Sequence, residues 1–238
     1  MAKVTLTIDG KTIKAEKGAY LLGVCRENHI PIPTLCQNDA VGPDGRCRLC
    51  VVELREGDWS KLVTSCLQPA KEGLNVLTGS DRVKKTRAMI LELLLARCPT
   101  SVELRALAAA HGVTEPRFEA DKDKGKCILC GLCTRTCADV VGVSAIGFTE
   151  RGIHKKVATP YLEPSKACIG CGACAFGCPT GHIVMWDKEG VRNIWGRKFE
   201  MAACVKCGRH FAPQHQLEHI AHTTGASMER LQTCQDCR

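Results

Sequence analysis

Aromatic residues are scarce in this chain of 238 residues, of which only 4% are Phe, Trp or Tyr. Proteins that bind single-stranded nucleic acid stack bases on aromatic side chains, and the excess of Lys and Arg, 33 against 25 Asp and Glu, is not clustered here. No apolar run approaches the about 20 residues that span a bilayer. The composition therefore argues against nucleic-acid binding and against a membrane span.

Nucleotide-binding and hydrolase motifs are also missing. The chain has no P-loop and no G-x-G-x-x-G segment between a strand and a helix, since its glycines at 170–177 alternate with cysteines. It has no nucleophile elbow and no carboxylate pair in a recognisable setting. We expect neither flavin nor NAD on this chain, no catalytic residue, and no substrate site of its own.

Cysteine, by contrast, is abundant: the chain has 18. Residues 1–10 alternate like a strand and lack the apolar core of a signal peptide, so we expect a cytoplasmic protein. In a reducing compartment, cysteines at this density indicate metal binding or redox chemistry rather than disulfides. Sixteen of them fall into four groups of four. Four tetrathiolate metal sites would carry a charge of about −8, which would cancel the formal net charge of +8.

The first third of the chain predicts a small mixed α/β domain. Residues 4–8 and 11–16 form a hairpin around an Asp-Gly turn, because the first segment alternates apolar and polar residues. A short helix is expected at 20–28 before two prolines, and further strands at 51–54 and 62–64.

A helical region follows. Residues 81–97 predict a helix that is apolar on most faces and therefore packed between other elements. Thr100 and Glu103 are expected to form the capping box of a second helix, which Gly112 ends. The charged segment 119–126 is interpreted as a linker.

A duplicated motif is the most informative feature of the sequence. Residues 127–137 and 168–178 repeat the pattern C-x2-C-x2-C-x3-C, in which the fourth cysteine of each run binds the other run's [4Fe-4S] cluster. The first cluster is thus expected on Cys127, Cys130, Cys133 and Cys178. The second is expected on Cys168, Cys171, Cys174 and Cys137. Two copies of this spacing disfavour the alternatives, zinc or unligated thiols.

The N-terminal quartet is less compact. Three of its cysteines lie on one glycine-containing loop and the fourth follows a strand, much like plant-type [2Fe-2S] proteins but with a wider first spacing. Its members are Cys36, Cys47, Cys50 and Cys66. Spacing alone leaves zinc as an alternative.

The C-terminal quartet consists of two C-x2-C pairs. Its members are Cys204, Cys207, Cys234 and Cys237. The sequence Cys207-Gly208-Arg209 is typical of a zinc knuckle, so zinc is favoured, with a third [4Fe-4S] cluster as the alternative because both use thiolate ligands. Three nearby histidines on one helix face are expected to be solvated rather than to bind metal. They are His215, His219 and His222.

Several segments resemble a known family. They are PIPTLC at 31–36, GRCRLCVVE at 45–53, TSC at 64–66, CILCGLC at 127–133, VVGVSAIGF at 140–148 and the segment 165–180. They are similar to the N-terminal part of the large iron-sulfur subunit of respiratory complex I, and to iron-sulfur subunits of NAD-linked [NiFe] hydrogenases, NAD-dependent formate dehydrogenases and [FeFe] hydrogenases. The resemblance covers about residues 1–190 and implies a β-grasp [2Fe-2S] domain followed by a two-cluster ferredoxin domain.

The expected architecture is therefore α+β in four parts. They are a β-grasp [2Fe-2S] domain at 1–80, a helical connector at 81–118, a two-[4Fe-4S] ferredoxin-like domain at 119–190 and a C-terminal four-cysteine metal segment at 191–238. Members of the family commonly carry another [4Fe-4S] cluster on one histidine and three cysteines in the connector. This chain has only Cys98 there, so we expect no such cluster, and we expect Cys98 and Cys25 to be buried apolar residues.

The resemblance also implies a function. It indicates an electron-transfer subunit of a cytoplasmic, multi-subunit, NAD(P)-linked oxidoreductase, acting between a flavin- and NAD(P)H-binding subunit and a catalytic subunit that contains a metal. A hydrogenase is the first candidate for that catalytic partner, followed by a formate dehydrogenase and an electron-bifurcating NAD(P)-ferredoxin complex. A free ferredoxin-like carrier is the rival interpretation, and the apolar 81–97 helix and the C-terminal metal site argue against it.

Overall fold

Two structural units follow one another along the chain, Met1–Gly131 and Leu132–Arg238. The computed structural model describes residues 2–120 and 125–238. Residues 121–124, in the middle of the predicted linker, lie outside the described residues. The four domain ranges predicted from the sequence stay predictions.

A five-stranded sheet is the framework of the first unit. Its strand order is β2-β1-β5-β3-β4, with β1 and β5 parallel and the other neighbours antiparallel. The strands are β1 (Lys3–Ile8), β2 (Lys11–Glu16), β3 (Val51–Glu56), β4 (Trp59–Thr64) and β5 (Asn75–Leu77). The predicted hairpin is present, and the two later strands are longer than predicted. The order and directions are those of the β-grasp fold.

Helix α1 (Leu21–Glu27) covers one face of this sheet. Its buried Leu21 and Val24 share a core with side chains from β1, β3 and β5, including Leu6, Val52 and Val76. Each of these side chains is at most 2% exposed, so the alternation in the strands and the helical pattern converge on one hydrophobic core.

Helix α2 (Asp81–Arg97) has the predicted bounds but buries one face rather than most of them. Leu91 and Leu95 are buried, whereas Met89 and Leu93 are 39% and 50% exposed. The helix contacts both β3 and the next helix along the chain, so the expectation that it packs between other elements is confirmed, although part of its apolar surface stays exposed.

Helix α3 (Val102–Ala110) begins one residue later than expected. Its N-cap is Ser101, not Thr100: the Ser101 hydroxyl accepts the N–H of Leu104 at 3.3 Å and donates to Glu103 at 2.9 Å. Either hydroxyl residue could have capped the helix, and the chain uses the nearer one. Gly112, with φ of +77°, follows the helix end as predicted.

The second unit starts with short elements around the duplicated cysteine motif. Helix α4 (Leu132–Arg135) continues into a π-helical turn at Thr136–Val140. β6 (Gly147–Thr149) and β7 (Lys156–Ala158) pair as an antiparallel ribbon, and α5 (Ala173–Phe176) follows. Single 3₁₀ turns occur at Gly152–His154, Pro160–Leu162 and Gln235–Cys237.

A four-stranded antiparallel sheet, which sequence analysis missed, occupies the C-terminal part. Its strands lie in chain order and are β8 (Met185–Lys188), β9 (Val191–Ile194), β10 (Arg197–Ala203) and β11 (His210–Pro213). Helices α6 (Gln214–Thr224) and α7 (Met228–Leu231) pack against it through Leu217 and Leu231. No helix among residues 2–120 and 125–238 is long and apolar enough to cross a membrane.

A buried carboxylate connects the first sheet to α2. Glu53 in β3 is 4% exposed, and the Ser80 hydroxyl donates to it at 2.5 Å while accepting the N–H of Val83 at 3.3 Å. Hydrogen bonds from Ser80 and Ser60 lower the pKa of Glu53 below its ordinary value of 4.5. The ionised form of Glu53 therefore stabilises the start of α2 on the sheet.

We expect Glu53→Gln to reduce the stability of this region by about 1–3 kcal/mol, because a charged hydrogen-bond acceptor is lost. The folded pKa lies below the unfolded one, so the contribution of Glu53 is complete above the unfolded pKa and is lost as the pH falls through the folded pKa. Hydrogen exchange of the β3 and α2 amides, measured in the full chain at neutral and acidic pH, tests this. Glu56→Gln, at the exposed end of β3, is the control, and equal protection in both variants would contradict the expectation.

Candidate metal centres

All four N-terminal cysteines are buried in the first unit. Cys36 and Cys47 lie on the loop between α1 and β3, Cys50 directly precedes β3, and Cys66 follows β4. None of their side chains is more than 6% exposed. The sheet thus brings together residues that are 30 positions apart in the sequence.

These four sulfurs are arranged as two pairs. The backbone N–H of Cys47 donates to Cys36 Sγ at 3.4 Å, and contact between the two side chains raises the pKa of Cys47. The Cys66 thiol donates to Cys50, which lowers the pKa of Cys50 to about 6 and raises that of Cys66. Two neighbouring sulfur pairs suit two adjacent irons that each take two thiolates.

A buried guanidinium approaches the N-terminal quartet from α2. Arg87 is 6% exposed, and its Nη2 donates to the carbonyl oxygen of Val51 at 2.8 Å, next to Cys50. Burial lowers the pKa of Arg87, and the negative charge of Cys50 raises it. A cation in this position stabilises negative charge on the adjacent sulfurs.

The loop of the N-terminal quartet also contacts the segment that carries Cys127. Arg46, which forms an ion pair with Asp44, lies against Gly131, where a Cβ atom would come within 3.1 Å of Arg46 Nε. Arg97 of α2 donates to the carbonyl oxygen of Cys127 at 3.2 Å. Two arginines therefore link the N-terminal domain to the start of the duplicated motif.

The quartet predicted for the first [4Fe-4S] cluster has members in both units. Cys127 and Cys130 belong to the first unit, and Cys133 of α4 and Cys178 belong to the second. Cys178 Sγ accepts the backbone N–H of His182 at 3.3 Å. The assignment of this quartet stays a prediction from its spacing.

The second predicted [4Fe-4S] quartet lines a single cavity in the second unit. Cys137 comes from the π-helical turn, Cys168 and Cys171 from the loop before α5, and Cys174 from α5. The rest of the wall is almost entirely apolar and includes Val141, Val143, Ala145, Ile146, Ile169 and Ile194. A wall of sulfur and hydrocarbon fits an iron-sulfur cluster, although Cys137, Cys168 and Cys171 are only partly buried.

Each sulfur of this cavity faces an N–H donor. Three donors are backbone groups: Ala145 to Cys137 at 3.2 Å, Gly170 to Cys168, and Ala173 to Cys171. The fourth is the indole of Trp195, which donates to Cys174 Sγ at 3.4 Å. Burial raises the pKa of Cys174 to about 11, and the indole opposes that shift. Burial also raises the pKa of Cys168 and Cys171, and the N–H donors lower it, so these donors offset part of the cost of holding thiolates in the cavity.

Gly170 allows the second cluster loop to pass close to the C-terminal sheet. Its φ is +73°, and a Cβ atom would lie 2.7 Å from the ring of Phe199, which is 1% exposed. A larger residue has no room there, since Phe199 is itself enclosed.

The C-terminal quartet is the most tightly gathered. The sulfurs of its four cysteines all lie within 4.8 Å of one another, and those of Cys207 and Cys234 are 3.8 Å apart. In the part of the chain that the structure describes, no other group of three or more possible ligand side chains gathers as closely.

Backbone N–H groups and one arginine hydrogen-bond to these C-terminal sulfurs. The N–H of Cys234 donates to Cys204 Sγ at 3.4 Å, and such backbone donors lower the pKa of Cys204 to about 6. Arg209 donates to Cys234 Sγ at 3.6 Å and pairs with Asp236. These contacts favour thiolates over thiols.

The histidines of α6 and the two cysteines outside the quartets were also candidate residues. His215 lies edge-on to Phe199 at 5.8 Å, and His219 Nε2 is 3.3 Å from the carbonyl oxygen of Val141. Cys25 and Cys98 are fully buried, as expected. Among the described residues, the three histidines form no ligand group.

Sequence analysis did not identify the side chains that contact the second cluster loop from outside the cysteine motif. Arg192 and Arg197 donate to carbonyl oxygens of that loop, and Trp195 donates to Cys174 of the adjoining α5, at separations of 21 to 32 residues along the chain. The only signal in the sequence was the Trp-Gly pair between two short polar strands, which is a weak indication of a hairpin.

Both cluster regions match known protein families. Residues 1–81 match a 2Fe-2S iron-sulfur cluster binding domain, and residues 126–182 match a 4Fe-4S dicluster domain. The chain therefore contains one [2Fe-2S] domain and one domain for two [4Fe-4S] clusters, in the predicted order.

The chain is also similar to subunits of larger enzymes. It is 30% identical over 96% of its length to the NADPH-Fe(3+) oxidoreductase subunit alpha of Geobacter sulfurreducens, and 31% identical over 76% to the mitochondrial NADH-ubiquinone oxidoreductase 78 kDa subunit of Neurospora crassa. It spans only 29% and 27% of the lengths of these relatives. A chain in a crystal structure of NAD+-reducing [NiFe]-hydrogenase matches 66% of this chain and 75% of its own length, at 31% identity and a TM-score of 0.59.

We expect Gly170→Ala to destabilise the second unit by about 1–3 kcal/mol more than a change that strains φ alone, because its Cβ atom would overlap Phe199. Gly225→Ala is the matched control: its φ is +71°, and nothing lies within 4 Å of the new Cβ. Thermal unfolding of the two variants measures the difference. Equal losses would show that backbone strain, not the close approach of Phe199, is the reason for glycine.

Proposed function

Because the chain belongs to the family of iron-sulfur subunits that includes the complex I large subunit and the diaphorase subunit of NAD-linked [NiFe] hydrogenases, we propose that it relays electrons within such a complex. Its partners are a flavin- and NAD(P)H-binding subunit and a catalytic, metal-containing subunit. A hydrogenase is the first candidate for the second partner, since the matching crystal structure is of an NAD+-reducing hydrogenase. A formate dehydrogenase or an electron-bifurcating complex would use the chain in the same way.

One observation carries this proposal: four cysteine sulfurs face a single apolar cavity, and each has its own N–H donor. Such a site offers a hydrogen bond to each bound thiolate within a mostly apolar wall. No polar group among the described residues of the cavity wall is suited to a substrate. These properties support electron transfer without substrate chemistry.

We assign the clusters as their spacing predicts. The N-terminal quartet holds the [2Fe-2S] cluster, with Cys36 and Cys47 on one iron and Cys50 and Cys66 on the other, since these sulfurs lie in pairs. The cavity quartet holds the second [4Fe-4S] cluster. The first [4Fe-4S] cluster rests on spacing alone. When bound, such clusters supply one-electron redox chemistry. Plant-type [2Fe-2S] centres have reduction potentials of about −400 mV.

The protein's own residues then determine where electrons can pass. Arg87 places a positive charge beside the N-terminal quartet, which favours electron uptake there. Arg46 and Arg97 join the N-terminal loop to the Cys127 segment, so these two cluster regions are in contact within one unit. This contact supports a path from the [2Fe-2S] centre into the ferredoxin-like domain.

We assign zinc to the C-terminal quartet. Thiolates around one zinc ion, at a bond length of about 2.3 Å, occupy the corners of a tetrahedron and lie about 3.8 Å apart. The Cys207 and Cys234 sulfurs are at that separation, and all four lie within 4.8 Å. A cubane binds each thiolate to a different iron and so needs the sulfurs farther apart. The geometry therefore favours a single ion.

A cytoplasmic location agrees with the state of the cysteines. None of the 18 forms a disulfide in the described chain, and all 18 lie among the described residues. Reduced thiols at this density are typical of a reducing compartment.

Metal analysis of the native complex, isolated anaerobically, tests the whole assignment. We expect about ten irons and one zinc on the chain once it is isolated from its partners, which correspond to one [2Fe-2S] cluster, two [4Fe-4S] clusters and one mononuclear site. A flavoprotein and a subunit containing nickel, molybdenum or tungsten should co-purify. About fourteen irons without zinc would make the C-terminal site a third cubane. A monomer that carries its iron alone would indicate a free carrier, and little iron would refute the proposal.

We expect Cys234→Ser to remove the zinc and leave about ten irons on the chain, because Cys234 belongs to the single-ion site and to no cluster. Iron and zinc are counted together in the purified variant. Cys25→Ser, which changes a buried cysteine outside every quartet, is the control and should keep both metals. Loss of four irons from Cys234→Ser without loss of zinc would contradict the zinc assignment.

A further inference from the structure

The turn between β9 and β10 contains an unfavourable residue. Its two positions, Trp195 and Gly196, have φ values of +54° and +72°, the pattern of a type I′ hairpin. The first position of this turn favours Asn, Asp or Gly, and a bulky residue with positive φ is uncommon. Strain of this kind persists where the side chain serves a purpose.

The Trp195 side chain contributes to the cavity of the second cluster quartet. Its indole Nε1 donates to Cys174 Sγ at 3.4 Å, and its ring completes the wall beside Ile194. The other three sulfurs of the cavity receive backbone N–H groups from their own loops. Trp195 is thus the one side-chain donor to this quartet among the contacts described, and it comes from outside the duplicated motif.

Two arginines hold the β9–β10 hairpin against the cluster loop. Arg197 Nη1 donates to the carbonyl oxygen of Cys168 at 2.6 Å and to those of Ser165 and Lys166. Arg192 is 7% exposed and donates to the carbonyl oxygen of Gly170 at 3.2 Å. These bonds fix the turn in register with the loop, so the indole has little freedom to leave Cys174.

The C-terminal quartet lies at the end of β10 that is remote from the β9–β10 turn. β10 begins at Arg197 and leads directly into Cys204, the first cysteine of that quartet. β11 and α6 then cover the strand. The position of Trp195 is therefore maintained by the whole C-terminal sheet.

We propose that Trp195 is a positioning residue that sets the reduction potential of the second [4Fe-4S] cluster by donating its indole N–H to Cys174. This inference rests on the proposed function, because it requires a cluster in that cavity. Reduction adds negative charge to the cluster and its sulfurs. An N–H donor therefore stabilises the reduced state more than the oxidised one and raises the potential.

Trp195→Phe removes the donor and keeps an aromatic ring in the cavity wall. Trp186→Phe is the matched control: it makes the same change on β8, where the side chain is 45% exposed. Each full-length protein is titrated anaerobically, and its reduced clusters are followed by electron paramagnetic resonance. In Trp195→Phe, we expect one [4Fe-4S] centre to be about tenfold harder to reduce, a shift of about 59 mV for one electron. The [2Fe-2S] centre and the Trp186→Phe protein should keep wild-type values.

Trp195→His separates the hydrogen bond from simple space filling. The five-membered ring of His carries nitrogen at the position corresponding to the indole Nε1, and His tolerates positive φ better than most residues. We expect its potential to lie closer to wild type than that of Trp195→Phe.

Four results would overturn the inference, and one of them also refutes the proposed function. If the wild-type protein shows no second [4Fe-4S] signal, both fail. If the cluster is present and Trp195→Phe leaves its potential unchanged, only the role of Trp195 fails. If the Phe and His variants share one lowered potential, or both lose four irons, the ring merely fills space and the role again fails.

Discussion

A buried sulfur anion is stable only where N–H donors or cations face it, and the cluster-binding parts of this chain are organised by that requirement. In the second quartet each of the four sulfurs meets an N–H group. In the N-terminal quartet, Arg87 faces the loop from α2. The sheets and helices place these donors, and the hydrophobic core holds them there.

The cysteine quartets use the same side chain in different arrangements of their sulfur atoms. The N-terminal sulfurs lie in pairs, the second [4Fe-4S] quartet surrounds a cavity, and the C-terminal sulfurs gather within 4.8 Å. Cysteine spacing in the sequence could not separate zinc from iron at the C-terminal site. The three-dimensional distances bear on that choice, because one ion and a cubane hold their ligands at different separations.

Sequence reasoning succeeded where the determinants are local. The cysteine spacing predicted both matched cluster domains, and the alternation of residues predicted the β1–β2 hairpin. It failed where two neighbouring residues could serve the same role, and where the contacts that decide the structure join residues far apart in the sequence. Ser101 and Thr100 are both competent caps, and nothing local indicates that Leu93 is exposed while Leu95 is buried. The C-terminal sheet was missed because its strands are short and rich in charge, and its contacts with the cluster loop span up to 32 residues.

The chain order of the β9–β10 hairpin also bears on assembly. Trp195 follows Cys174 by 21 residues, so during synthesis the cysteines emerge before the residue that closes their cavity. If the proposed cluster binds in this cavity, its delivery to the newly made chain would precede the packing of the indole and the two arginines beside it. The order of the chain would then define an interval in biogenesis during which the cavity is more open to insertion.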